Sequence, residues 1–446
     1  MRTIFLPLAR TTFSMPDAED IFTKSCLMLD ELHPNTSHPD VLLTSPEMLS
    51  NYLDGFERVD MLIYQCTTFV GGDFVPELTR RFNCPVIIWS VREPSIDGGR
   101  LKLNSLTGAF SAANNLYSQK RKFGFVFGNP DSEDVKTKFR HIFASLEMIE
   151  KLRNMVIGVI GSQPSGFGFG GIDEALLNGK LGVRIIRTEV SSIIAQARSY
   201  QPDTYAKTLD EIKSLQANSL PPAYQCCITD ENFDKHARLM TAYQDFAVRN
   251  GVSVIASRCW PDFFVEYGAP VCAALSFLND IGIPASCETD IGGAVSMYIG
   301  SQLTGKPAYF GDPVAIDDNC GAIVFWHCGA GAPSLAKDGA KLGVHPNRKI
   351  GPVMEFGLKS GVVTILRLSK TNIGFRMLVC KGVALDEPQK FYGTSLAVRP
   401  LTGSPAEKIQ RLVADGAEPH FVIAYGEITE ELKFMCQLLD IEYYEY

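Results

Sequence analysis

Asn154-Met-Val-Ile-Gly-Val-Ile-Gly-Ser-Gln-Pro-Ser-Gly-Phe-Gly-Phe-Gly-Gly171 decides the fold class: an apolar, β-branched run passes without a break into a glycine-rich loop. A short apolar run ended by turn residues reads as a strand buried on both faces, and such strands belong to parallel sheets covered by helices. The loop lacks the Gly-Lys-Ser/Thr ending of a P-loop and the glycine spacing of a dinucleotide fold, so nucleotide binding is not expected there. The charged helix around Glu147 to Arg153 precedes the strand and puts a domain boundary near residue 153.

Upstream, the apolar runs 3–9, 59–65 and 84–90 alternate with polar, helix-compatible stretches, the pattern of an α/β domain. Downstream the alternation continues, with strands expected at 183–189, 252–258 and in the segment entering Glu288, and helices at 203–216, 230–249 and 269–281. After about residue 319 the texture changes to short β-rich runs at 361–368, 374–382 and 394–399. A strand at 420–426 and an amphipathic helix from Glu427, with acids in its first turn, close the chain. The expected architecture is two doubly wound α/β domains followed by a smaller antiparallel, β-rich, barrel-like C-terminal domain. Its boundaries are 1–153, 154–318 and 319–446, in keeping with a prior of about 100–200 residues per domain.

The 446 residues are 46% hydrophobic and 21% charged, with no run of about 18 apolar residues that would span a membrane. The opening Met1 to Arg10 reads as a first strand, because Pro7 and Arg10 leave no adequate leader core. A formal charge of −8, without a basic stripe, argues against nucleic-acid binding. Twelve cysteines have no Cys-x-x-Cys spacing, and the only close pair is the adjacent Cys226-Cys227. Free thiols in a reducing cytoplasm are the expected reading.

Glu288 and Asp312 stand in glycine- or proline-punctuated turns beside apolar runs, Ile-Pro-Ala-Ser-Cys-Glu288 and Tyr-Phe-Gly-Asp312-Pro, where functional carboxylates are usually positioned. With His327, His345 and His420 downstream they make an oxygen/nitrogen donor set suited to Mn²⁺ or a similar divalent ion. The alternative, that the acids cap helices and the histidines are satisfied core or loop residues, stays open on spacing alone. His345, in a Val-His-Pro-Asn loop, reads as a solvent-exposed or substrate-rim residue. Trp260 is either an apolar face for a ligand ring or a core aromatic.

The ordered series from Ser257-Arg-Cys-Trp-Pro-Asp262, through Cys287-Glu-Thr-Asp-Ile-Gly-Gly293 and Gly311-Asp-Pro313, to Phe325-Trp-His-Cys-Gly329 resembles the L-fucose isomerase-like family. With the L-arabinose isomerases, that family forms one group of metal-dependent aldose–ketose isomerases. The resemblance spans nearly the whole chain. It implies that Glu288 and Asp312, 24 residues apart, bind Mn²⁺ and move the sugar's exchangeable protons, with His420 as the last ligand and His327 as a further candidate beside the substrate. Arg10, Gln65, Trp89 and Asn104 would contact the sugar from the first domain, Arg10 being suited to an anionic group on it. A trimer or hexamer, with one subunit's first domain closing the neighbour's site, is implied as well. The chain is much shorter than the L-fucose isomerases, so its sugar-reading loops are expected to differ. L-fucose, L-arabinose, D-arabinose and a C6-modified hexose such as sulfoquinovose are the candidate substrates. A non-catalytic sugar-binding protein, or an epimerase or aldolase sharing the enediolate, are the competing readings.

Overall fold

The computed structural model describes residues 2–216 and 228–446. The Cys226-Cys227 pair lies outside the described residues. The chain divides into two compact units, one made of the residues up to Glu150 with Lys433–Asp440, the other of Lys151–Leu432 with Ile441–Tyr446.

The first unit is built on a five-stranded parallel sheet: β1 (Thr3–Leu8), β2 (Thr36–Ser37), β3 (Met61–Cys66), β4 (Val86–Ser90) and β5 (Phe123–Phe127), in the order β2-β1-β3-β4-β5. Every residue of β1, β3 and β4 is buried, as expected of strands with helices on both faces. Two separate apolar cores lie on its two sides. Phe434 and Leu438, near the end of the chain, pack on one of them, and Gln437 donates to the Phe123 carbonyl at 2.5 Å. The C-terminal helix Thr429–Leu439 therefore supplies apolar surface to a sheet formed by the first 127 residues.

The second unit opens with β6 (Val156–Ile160), β7 (Arg184–Thr188), β8 (Val254–Ser257) and β9 (Ala285–Ser286), paired in parallel in the order β7-β6-β8-β9. Ile157, Val159 and Ile160 are fully buried, each contributing roughly 1.5–3 kcal/mol. Gly158 sits between them because a Cβ there would come within 2.7 Å of the Phe246 ring. The helix Asp230–Asn250, which carries Phe246, starts in a Thr229/Asn232 capping box and stops at Gly251 in the left-handed region.

The remaining strands are β10 (Tyr309–Asp317), β11 (Ala322–His327), β12 (Leu342–Gly343), β13 (Val353–Met354), β14 (Phe356–Gly357), β15 (Gly361–Lys370), β16 (Phe375–Ala384), β17 (Thr394–Pro400), β18 (Phe421–Ala424) and β19 (Glu442–Glu445). Apart from the small β12–β13 pair they form one mixed sheet, ordered β14-β17-β11-β10-β18-β15-β16-β19. A further β16–β17 pairing joins six antiparallel strands in a ring, with β14 and β19 added in parallel. The antiparallel C-terminal sheet expected from the sequence is thus mixed. It also takes in β10, a strand that the sequence reading places in the central block. Among the described residues no helix is long and apolar enough to cross a membrane.

Candidate functional site

Sheet register brings the downstream residues together. In β10–β18, Tyr309 faces Ile423, Phe310 faces Val422 and Gly311 faces Phe421, so the next residues outward are Asp312 and His420. On the other edge of β10, Asp312 faces Trp326, which places His327 one residue further along β11. A β-bulge after Pro313 bends the strand just beyond Asp312, a common device beside active sites.

Glu288 arrives from a different sheet. It follows β9 and precedes the helix Ile291–Thr304, and both Glu288 (φ 59°) and Thr289 (φ 56°) lie in the left-handed region. Two adjacent non-glycine residues there, one of them β-branched, cost energy that surrounding contacts must offset. Those contacts are visible: Thr289 N–H donates to the Ser257 carbonyl at the end of β8 (3.0 Å), and Gln163 Nε2 donates to the Thr289 carbonyl (3.0 Å). The glycine-rich loop that ends the decisive sequence stretch packs on this turn. A Cβ on Gly170 would lie 3.2 Å from the Asp290 Cα, and Lys370 Nζ ties the loop down through the carbonyls of Gly168, Phe169 and Gly171. The loop's glycines therefore support Glu288 by close backbone approach.

The three side chains converge. His420 Nε2 is 2.9 Å from Glu288 Oε2 and 3.3 Å from Asp312 Oδ1. The second contact is not aligned as a hydrogen bond: Asp312 Oδ1 is a buried atom without a hydrogen-bond partner, although 30% of the side chain is exposed. On its other side His420 Nδ1 is 2.8 Å from Asp290 Oδ2. Asp290 also accepts from Gly293 N–H through Oδ1 (2.8 Å), capping the helix, and from Arg367 at 2.7 and 3.2 Å. Arg367 is buried between Asp290 and Glu418 and donates as well to the His420 carbonyl at 2.9 Å.

This electrostatic frame fixes the imidazole. Burial works against charge on His420, but hydrogen bonds to Asp290 and Glu288 and the nearby Asp312 hold its pKa up to about 10. Burial likewise opposes ionisation of Asp290, and Arg367 with His420 overcomes it, keeping the carboxyl well below its ordinary range. Burial pushes Asp312 up, partly opposed by His420 and His327. An Asp–His pair with the far imidazole nitrogen aimed at two carboxylates is the usual arrangement of a metal-binding histidine and its orienting partner. The donor set, two carboxylates and one imidazole with an orphaned carboxylate oxygen among them, fits a divalent ion such as Mn²⁺.

A cavity of about 220 Å³ opens here, lined by Glu288, Asp312, His327, Cys328 and Trp260 among others. His327 is buried, 3.5 Å through Nδ1 from Cys328 Sγ. Trp260 makes a T-shaped contact with Phe167, and the Arg348 guanidinium lies over its ring, 5.3 Å from the ring centre. His345 is not solvent-exposed as one sequence reading had it. It is buried in the cavity wall, and its Nδ1 accepts the backbone N–H groups of Asn347 and Arg348 at 3.3 Å.

Four expected sugar contacts lie in the first unit. Gln65 is buried, donating to Ser25 and accepting from Thr67, and Trp89 is buried in an apolar core with its indole N–H on the Gly128 carbonyl. Both are corrected to core residues, because neither has surface or a free polar atom to offer a sugar. Arg10 is partly exposed, pairs with Asp73 and lies over the Phe74 ring. Asn104 (φ 54°) precedes the helix Ser105–Ser118, its N–H donating to Glu93.

Sequence reasoning missed Asp290, Arg367 and Glu418. Asp290 reads as a helix cap two residues after Glu288, and Glu418 lies two before His420, but no local signal joins either to Arg367. It missed Arg348 too, an arginine in a loop with no motif around it.

No family model matches the chain. The chain is 40% identical over 447 residues to the sulfoquinovose isomerase of Clostridium sp. (strain MSTE9), covering 98% of this chain and 97% of that protein. It is 37% identical over 445 residues to that of Alkalicoccus urumqiensis (99% and 98% covered) and 38% over 448 residues to that of Priestia aryabhattai (98% of each). Similarity of this extent over both units, together with the convergent carboxylates and imidazole, makes the chain an aldose–ketose isomerase that belongs to the sulfoquinovose isomerase family.

Proposed function

We propose that the chain interconverts sulfoquinovose and its ketose through an enediol, with Mn²⁺ or another divalent ion held by Glu288, Asp312 and His420. The observation that carries this reading is the approach of two carboxylates from two different sheets to His420 Nε2, at 2.9 and 3.3 Å, in one cavity. The ion, when bound, polarises the sugar carbonyl and offsets negative charge on the enediolate. Glu288 and Asp312 carry the proton between C2 and C1 and assist the hydroxyl proton shift. Asp290 holds the His420 ring, and Arg367 holds Asp290. Trp260 offers an apolar face to the sugar, and the surrounding wall limits water.

The substrate is taken from the names of the relatives, and the cavity supports it. A C6 sulfonate needs a cation, and Arg348 on the cavity rim has no ion pair among the described residues, whereas Arg10 already pairs with Asp73. The motif series supports grouping the chain with the L-fucose isomerase-like proteins. A cytoplasmic location is supported by the ten described cysteines, all free thiols. A homo-oligomer, trimer or hexamer, is supported by an apolar stripe of Leu106, Phe110 and Tyr117 exposed along the helix Ser105–Ser118.

The test is isomerisation of sulfoquinovose, glucose, L-fucose and L-arabinose by purified protein, after chelation and again with Mn²⁺ restored. Ketose formation from sulfoquinovose that needs the ion supports the proposal. Turnover undiminished after complete chelation overturns the metal assignment, and deuterium exchange at C2 without ketose points to an epimerase instead.

A further inference from the structure

Behind the carboxylates, the cavity wall carries chemistry that isomerisation does not use. Cys328 lines the cavity, and its Sγ is 3.7 Å from Sγ of Cys272, the buried first residue of the helix Cys272–Asp280. The two cysteines are 56 residues apart in sequence, and both are free. His327 and His345 flank the pair, His327 Nδ1 at 3.5 Å and a His345 nitrogen within 4.8 Å of both sulfurs. A cation held by Cys272, Cys328 and His345 is one use of such a cluster. The His345 ring argues against it, because Nδ1 accepts two backbone N–H groups. Neutral imidazole bound to a metal through Nε2 carries its proton on Nδ1, which would then face two donors.

We infer that Cys272 and Cys328 are a thiol pair that hydrogen peroxide joins into a disulfide in the wall of the isomerase site, and that the joined form is inactive. The Cys328 sulfur, reached through the cavity, attacks one peroxide oxygen. The O–O bond breaks, the distal oxygen leaves as water, and Cys328 becomes a sulfenic acid. The Cys272 sulfur then attacks the Cys328 sulfur, the S–O bond breaks, and a second water leaves. Two thiols lose two electrons, and one hydrogen peroxide is reduced to two waters. Joining the sulfurs closes their 3.7 Å separation to about 2.05 Å, a movement of about 1.7 Å. Cys328 is bonded to His327, whose ring lines the same cavity. Misplacement of a site by 1 Å costs on the order of 10²-fold in rate, so a loss of about tenfold or more is expected. The effect on activity rests on the site proposed above, whereas the bond itself does not.

The experiment exposes the metal-loaded enzyme to hydrogen peroxide, blocks remaining thiols, and maps disulfides by mass spectrometry without reduction while assaying isomerase activity. The expected result is a Cys272–Cys328 linked peptide whose yield tracks the activity lost, with both reversed by dithiothreitol. In Cys272→Ser, basal activity is retained and the dithiothreitol-recoverable loss falls at least fivefold. The inference is overturned if no such linkage forms, if Cys272 or Cys328 is linked to another cysteine instead, if bound zinc blocks the thiols, or if linked enzyme keeps full activity. Because mapping needs no turnover, a linked pair in a protein that isomerises no sugar would refute the proposed function and leave the thiol chemistry standing.

Discussion

Replacing Asp290 with asparagine keeps the shape of the side chain and removes the charge that lies between two cationic groups. Asp290 Oδ2 accepts from His420 Nδ1 (2.8 Å) and Arg367 (2.7 Å), and Oδ1 accepts from Gly293 N–H (2.8 Å) and Arg367 (3.2 Å). Whichever position the amide nitrogen takes, it meets two donors. Breaking a buried pair by removing one partner costs about 3–5 kcal/mol. Arg367 keeps Glu418 at 3.2 Å, so the low end, about 3 kcal/mol of stability, is expected. Loss of the partner that orients a metal-binding histidine costs about 10–100-fold in affinity, or about 1.4–2.8 kcal/mol. Glu418→Gln is the control, since it also weakens the hold on Arg367 but leaves Asp290 against His420. Equilibrium dialysis against Mn²⁺ in a chelator buffer, on protein shown to be folded by circular dichroism, reads both. The expected result is a drop of at least about tenfold for Asp290→Asn and a much smaller one for Glu418→Gln. If folded Asp290→Asn binds Mn²⁺ within twofold of the parent, or Glu418→Gln weakens binding equally, the reasoning that Asp290 sets the His420 ring is refuted.

Glu288→Gln should lower kcat for sulfoquinovose by about 10²–10⁴-fold, the range for a positioned acid–base group, and steady-state assay at saturating Mn²⁺ checks it. Gly293→Ala places a Cβ 2.5 Å from the Phe310 ring and 3.0 Å from the Asp290 carboxyl; overpacking of about 1–3 kcal/mol should appear in denaturant unfolding, with weaker Mn²⁺ binding beside it. Arg348→Ala should raise KM for sulfoquinovose by about tenfold or more, as loss of a charge-assisted contact worth about 1.5–3 kcal/mol implies, while leaving kcat/KM for a neutral hexose within about twofold. Equal losses on both sugars would assign Arg348 to packing on Trp260 rather than to the anion.

The strands were legible because burial on both faces leaves uninterrupted apolar runs: 156–160, 254–257 and 421–424 all fall within segments read as strands. Glu288, Asp312 and His420 were legible as residue types in punctuated turns. Their resemblance to a known motif series gave them an order but no distances. Trp89 and Gln65 were misread because an aromatic and an amide at the ends of strands look alike whether they face a ligand or, as here, an apolar core and a buried serine.

The sequence by itself determined the α/β alternation and the β-rich texture of the later part, because each is a matter of local periodicity, while its resemblance to a known motif series singled out Glu288, Asp312 and His420. Only the tertiary structure decided that β10 joins the later strands, which puts Asp312 beside His420 by register, and that Gly292 and Gly293 let a helix end approach β15 and Phe310. It alone joined Asp290, Arg367 and Glu418 into one buried chain of charges behind the imidazole, and set Cys272 against Cys328. The reason is physical: contacts between residues 50 to 130 positions apart are set by strand pairing and side-chain packing, which no local pattern of apolar and polar residues encodes.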